Sequence, residues 1–229
     1  MLDQFKNKTP FSKHLTSLIK YADFGISDVK SVPANIPSDI WHQFKEQMKT
    51  QIGADEGKLE EAFNIKNATQ LQFTHTGEDS SSAGFGLDNE SRGTVAALSF
   101  FSLALRQLSR PTVTLIDEID TSLHPTLVAE LVALYTDPAT NPHGSQLIFT
   151  THDVSLINQS GSSNRLLQPD QIWLVEKDKD GASELFPVAE LGIRKEENIG
   201  KNYLNGVYGA TPNPSFHTVF AQIMNGDDD

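Results

Sequence analysis

The sequence predicts an α/β fold, a parallel sheet with flanking helices, preceded by an N-terminal helical segment. Two observations carry this. Thr112 to Ile116 and Gln146 to Thr150 are short apolar runs of strand length, and a helical pattern, Leu127 to Tyr135, separates them. Each run ends on polar residues, Asp117-Glu118 in one case and Thr151-His152-Asp153 in the other. In a parallel sheet such residues collect at the carboxyl edge, where sites of α/β folds are built.

Taken in order, Phe11, Leu15, Leu18 and Ile19 fall at helical spacing and predict an amphipathic helix to Tyr21, broken by Asp23, Gly25 and Ser27. Val32 to Pro37, with its two prolines, reads as a connector. Ser38 or Asp39 can cap a second helix carrying Ile40, Trp41, Phe44 and Met48, and Asp55 to Phe63 extends it as a polar surface insertion. Thr69 to Thr76 alternates as a half-buried strand, and Gly77 to Gly86 is a loop by composition. A helix is predicted from Ser91 to about Leu108, with Val95, Leu98, Phe101, Leu105 and Leu108 on one face and Pro111 as its stop. The two apolar runs then read as strands buried on both faces, with a Pro/Asn turn from Asp137 to Gly144. Gln171 to Val175 is a third strand, and Gly181 marks a turn into Leu185 to Val188.

Composition narrows the function. The chain has 229 residues and no cysteine, which excludes disulfides, thiolate metal sites and cysteine nucleophiles. It carries 30 acidic and 18 basic residues, a net charge of −12. That field argues against a standalone nucleic-acid clamp, although a local basic strip stays open. No apolar run is long enough for a bilayer and no signal peptide is legible, so a soluble cytoplasmic protein without membrane contact is expected. The histidines lack zinc-ligand spacing.

The chemistry centres on Asp117-Glu118. Two adjacent carboxylates at a strand end point to opposite sides: one can hold Mg²⁺ through its waters, and the other can orient and deprotonate a water. A dry strand would raise the basicity of the second by desolvation. Downstream come Ser122-Leu123-His124-Pro125 and then His152; upstream, Glu90-Ser91-Arg92-Gly93-Thr94 opens a helix whose free N–H groups can receive phosphate.

This order resembles the signature, Walker B, D-loop and switch-histidine motifs of ABC-class ATPases. The wording of Glu90-Ser91-x-Gly93-Thr94 and Asp117 to Pro125 is similar to the AAA-labelled ABC ATPases of prokaryotic abortive-infection and overcoming-lysogenization-defect (OLD)-like phage-defence systems, as are Asp170 to Asp178 and Tyr203 to Pro212. The resemblance covers about Leu71 to Pro212 and, more weakly, the opening helix. It implies the C-terminal part of an ABC-type P-loop NTPase domain over 69–212, a helical insertion or lid over 1–68 and a tail over 213–229. It also implies the roles: Asp117 near Mg²⁺, Glu118 as general base, His152 on the γ-phosphate, Ser91, Arg92, Gly93 and Thr94 toward the ATP of an opposite subunit, and Ser122 with His124 in the loop crossing between subunits. Arg92 stands where transporters have a small residue, and Glu90 where they have leucine.

A Gly-x-x-x-x-Gly-Lys-[Ser/Thr] loop is missing: neither Gly57-Lys58 nor Gly200-Lys201 fits it. The expectation is therefore the C-terminal half of an ATPase, as a fragment, internal-start product or split subunit. It would be inactive until a P-loop-bearing half or second subunit completes a head-to-tail pair, and an effector nuclease or toxin would be a further partner. A sheet edge left exposed without the P-loop strand would invite that pairing. The alternative is a non-catalytic interaction or oligomerisation module derived from an ATPase.

Overall fold

The computed structural model describes residues 1–34, 68–76, 82–158, 165–212 and 214–225, together with 39, 42, 43, 46, 47, 49 and 50. The chain opens with α1 (Leu2–Lys6) and α2 (Pro10–Tyr21). Thr9 caps α2 by accepting the Ser12 N–H at 3.4 Å, and Pro10 occupies the first turn, where its missing N–H costs nothing. Leu15 and Ile19 of the predicted apolar face are fully buried.

The segment expected to be helical departs from that expectation at Ile26. Asp23 (φ 59) and Gly25 (φ 69) turn the chain into β1 (Ile26–Pro33), which pairs antiparallel with β2 (Thr69–Thr76) and sets Val29 beside Phe73. Pro33 reads as a connector locally, yet β1 is an edge strand, where a residue without an N–H is tolerated. On the other side of β2 lies β3 (Ser82–Gly86), inside the stretch read as a loop. In the second predicted helix, Asp39, His42, Gln43, Glu46, Gln47, Lys49 and Thr50 are helical. Its proposed apolar face (Ile40, Trp41, Phe44, Met48) and 55–63 lie outside the described residues.

The predicted central helix is α3 (Arg92–Gln107), bounded by Ser91 and Leu108. Its Ala97, Leu98, Phe101 and Ala104 join α2, β1 and β2 in the main core, and the Arg106 guanidinium lies 5.1 Å from the Phe11 ring centroid. Then come β4 (Val113–Ile116), α4 (Pro125–Thr136) and β5 (Gln146–Phe149). The strands pair parallel, Val113 with Gln146 through Ile116 with Phe149, so the strand–helix–strand prediction holds. Asn141 shapes the entry to β5: its Nδ2 donates to the Tyr135 and Ser145 carbonyls, and its Oδ1 accepts the Ser145 N–H, each at 2.8 Å.

Burial of this sheet on both faces is only half met. On one side α4 buries Val128, Leu131, Val132 and Tyr135, with the Tyr135 hydroxyl 3.5 Å from Thr114 Oγ1. On the other, Val113, Leu115 and Ile148 are 56%, 76% and 54% exposed. Parallel sheets are ordinarily covered on both faces, so this apolar face is anomalous for a finished α/β core.

The third predicted strand does not join the parallel sheet. It forms β6 (Trp173–Lys177), which pairs antiparallel with β7 (Ser183–Pro187) as a separate hairpin. The turn explains this. Asp178 Oδ1 accepts the N–H groups of Asp180 and Ala182 at 2.9 and 2.8 Å, and Gly181 adopts φ 84, folding the next apolar run straight back. Two adjacent runs on a short turn pair without the long crossover that a parallel partner needs. Ile172, Leu174, Val188 and Ile199 form a second small core beneath the hairpin. The chain continues through α5 (Ile199–Leu204) to α6 (Phe216–Asn225), a helix within the expected tail; 226–229 lie outside the described residues. Among the described residues no helix is long and apolar enough to cross a membrane.

Candidate functional site

Parallel pairing places the ends of β4 and β5 side by side, so Asp117-Glu118 and Thr150 to Asp153 meet. Pairing runs one step past the strands: the Thr150 N–H donates to the Ile116 carbonyl at 3.1 Å, and the Ile119 N–H to the Thr150 carbonyl at 3.0 Å. Thr150 Oγ1 donates to Asp117 Oδ1 and accepts the Glu118 N–H at 2.8 Å. One hydroxyl therefore ties both members of the acid pair to β5.

Glu118 sits at φ 51, a left-handed conformation that non-glycine residues seldom adopt and that collects at functional sites. The Thr121 N–H donates to the Glu118 carbonyl at 2.9 Å and closes this turn. Thr121 Oγ1 also donates to Glu118 Oε2 at 3.3 Å. Across the strand ends, His152 Nε2 lies 3.9 Å from Glu118 Oε1. The desolvation expected at Glu118 is not met: its side chain is 58% exposed beside a still more open His152, at 85%.

The upstream motif is built on the first turn of α3. Ser91 is the N-cap: its Oγ accepts the Thr94 N–H at 3.0 Å and lies 2.9 Å from Thr94 Oγ1. Thr94 is buried and engaged by this cap, whereas Ser91 and Arg92 are exposed. Glu90, the residue before the cap, turns inward. Its side chain is 4% exposed and its Oε1 lies 2.8 Å from Nε2 of His75 on β2, whose ring stands edge-on to Phe85. Gly93 faces the loop after β4: a Cβ added there would lie 2.8 Å from the Ser122 carbonyl oxygen. A side chain would part the two segments, so glycine lets the α3 N-terminus and the Asp117–Pro125 loop share one surface. Ser122 itself has φ 66, and His124 caps α4 by accepting the Thr126 N–H on Nδ1 at 3.2 Å.

The structure thus brings together Asp117, Glu118 and His152 at the paired strand ends, and Gly93 with Ser122 beside them. His124 serves the start of α4. Sequence reading did not single out Thr150, the Glu90–His75 pair, or Asp120, whose Oδ1 accepts from Thr151 Oγ1 at 2.7 Å and from the His152 N–H at 3.3 Å. A pair of threonines straight after an apolar strand was the available signal for two of these contacts. The set suits a phosphate ester with its metal: a carboxylate oriented by a hydroxyl, a second carboxylate facing an imidazole, and a capped helix start. Among the described residues no cluster of His, Asp and Glu could hold a metal by itself, so any ion would need ligands from its substrate or from another segment.

The family model described as AAA domain, putative AbiEii toxin, Type IV TA system, matches residues 3–158, which takes in both strand ends, α3 and the antiparallel sheet. No curated protein matches the chain. Among solved structures, the crystal structure of an SmcHead bound to the C-winged helix domain of ScpA aligns with a TM-score of 0.45 at 16% identity, covering 83% of this chain and 46% of that one. The chain therefore spans about half the length of that solved chain.

Proposed function

The chain belongs to the AAA domain family of the putative AbiEii toxin, Type IV TA system description, and on that premise we propose that it supplies the Walker B, switch-histidine and signature elements of an ATPase whose P-loop comes from another polypeptide segment. The observation that carries the reading is the juxtaposition of Asp117, Glu118 and His152 at the ends of β4 and β5, with His152 Nε2 3.9 Å from Glu118 Oε1. In this reading Asp117 holds Mg²⁺, Glu118 orients and deprotonates the attacking water, and His152 contacts the γ-phosphate. Ser91, Arg92, Gly93 and Thr94 at the α3 start, with Ser122 and His124, face the nucleotide of an opposed subunit. Mg²⁺, when bound, supplies neutralisation of phosphate charge; the chain's part is to place the acid pair and the imidazole.

The uncovered face of the β4–β5 sheet supports the need for a partner. Val113, Leu115 and Ile148 offer an apolar layer to whatever completes the sheet. The family description names a putative toxin of a Type IV toxin–antitoxin system; beyond that description, we place the chain in an abortive-infection, OLD-like phage-defence setting with an effector nuclease or toxin as a further partner.

The test is reconstitution. The purified chain should not turn over Mg·ATP, and adding a chain that carries the P-loop strand and helix of the same family should produce both association and turnover. Glu118→Gln should lower that turnover about 10²–10⁴-fold and trap an ATP-dependent complex. Association without turnover, or turnover indifferent to Glu118→Gln, would sink the catalytic reading and leave a non-catalytic interaction module.

A further inference from the structure

We propose that Asp120 is a positioning residue whose carboxylate ties the turn carrying Glu118 to the loop carrying His152 and so sets the register of those two side chains. The inference rests on the nucleotide reading only for what that register is used for; the tie itself stands on geometry. A single oxygen, Asp120 Oδ1, gathers two donors from successive residues, the Thr151 hydroxyl at 2.7 Å and the His152 N–H at 3.3 Å. Thr151 Oγ1 in turn accepts the Asp153 N–H at 3.0 Å, so residues on both sides of His152 hang from the same carboxylate.

On its other side, Asp120 belongs to the turn that bears Glu118. Glu118 has φ 51, and its carbonyl accepts the Thr121 N–H at 2.9 Å, which reverses the chain so that residue 120 points back across the strand ends. The neighbouring Ile119 is 3% exposed, and its N–H bonds the Thr150 carbonyl at 3.0 Å, so the base of the tie is anchored. Glu118 and His152 are themselves exposed, and one ion-pair distance of 3.9 Å between open side chains cannot hold a loop. Asp117 joins the strand ends one step earlier, through Thr150. Asp120 is the charged group that bonds the residues flanking and including His152, through the 2.7 Å bond from Thr151 and the longer one from the His152 N–H. Burial opposes its charge, but the hydrogen bonds from Thr151, from its own backbone and from His152 outweigh burial and hold the carboxyl below the usual range. The charged form is thus the one this arrangement favours.

The experiment is residue-resolved amide exchange by NMR on the full chain, with Asp120→Asn, Asp120→Ala and Thr151→Val. Asp120→Ala removes the acceptor and should speed exchange at the His152 amide about tenfold, the scale of a lost hydrogen bond to a charged group. Amides within the β4–β5 ladder should stay as in the wild type. Asp120→Asn keeps an acceptor oxygen and should restore protection to within about twofold, a rescue that a merely space-filling role would not give. Thr151→Val removes the shorter donor and should loosen the same amide even if the alanine variant folds poorly. An unchanged His152 rate in both Asp120→Ala and Thr151→Val, or equal acceleration throughout the ladder in all three variants, overturns the proposal. On a reconstituted ATPase, Asp120→Ala should lower kcat with KM for ATP unchanged, and Asp120→Asn should recover it. A wild-type chain that never supports turnover refutes the nucleotide reading, while the exchange data still decide whether Asp120 is the tie.

Discussion

Gly93→Ala tests the packing of the site most directly, because the methyl it adds meets main chain and not a side chain that can swing away. The added Cβ would lie 2.8 Å from the Ser122 carbonyl oxygen and 3.6 Å from Ser91 Oγ. The first distance is shorter than real Cβ contacts, so α3 and the 117–125 loop must separate by a few tenths of an ångström. Overpacking of this kind costs about 2–3 kcal/mol when the neighbour is backbone. Alanine recovers at most about 1 kcal/mol of helix propensity, since Gly93 lies in the first turn. The net is a loss of about 1–2 kcal/mol, or about 3–6 °C in Tm for a chain of this size. Urea denaturation followed by circular dichroism should give a lower midpoint with an unchanged slope, because the surface exposed on unfolding is the same. A variant as stable as the wild type, or more stable, would refute the close approach of α3 to Ser122. Serine, bulkier still at the same Cβ, should be no better tolerated than alanine.

Further outcomes follow from other contacts. His75→Ala strands the Glu90 carboxylate, which is 4% exposed, without its 2.8 Å partner; the cost should be about 1–3 kcal/mol by denaturation, with Glu90→Gln restoring part of it in the double variant. Asn141→Ala removes three hydrogen bonds at the entry to β5 and should cost about 1–3 kcal/mol, visible as faster amide exchange at Ser145. In the C-terminal module, the Tyr208 hydroxyl donates to Glu197 Oε1 at 2.6 Å. Glu197 is held below the usual carboxylate range, first by the Tyr208 hydroxyl and then by the Arg194 N–H, while burial and then the Glu197 bond push Tyr208 up. A lowered carboxyl gives stability that is present above its ordinary pKa and is lost as pH falls through its folded one. A raised phenol gives stability that is complete below its ordinary pKa, about 10, and is lost as pH rises through its folded one. The difference in Tm between wild type and Tyr208→Phe should therefore be flat from about pH 5 to 9, and should shrink below about pH 4 and above about pH 10.

How much of this was legible without coordinates differs from element to element. The α3 helix was readable to within a residue because its signals are local: a serine cap, an apolar face at helical spacing and Pro111 beyond its end. The acid pair and His152 were readable as strand-end residues for the same reason. β1 was missed because its pairing partner, β2, lies beyond a long intervening segment, and Val32-Pro33 resembles a connector until that partner is known. β3 hid in a Ser/Gly-rich stretch because its strand character comes from pairing with β2 and not from its own side chains. β6 had the composition of a buried strand, and only the Asp178–Gly181 turn decided that it would pair with β7.

By itself the sequence determined the local elements and the order of the chemical residues, since caps, periodicity and strand ends are set within a few positions of each other. Tertiary structure decided which groups share a surface: Gly93 against Ser122, Glu90 turned in toward His75, and Asp120 reaching across to Thr151 and His152. It also decided that one apolar face of the β4–β5 sheet stays open. These depend on contacts between residues far apart in the chain. Pairing register and close packing create such contacts, and no single stretch of sequence encodes either.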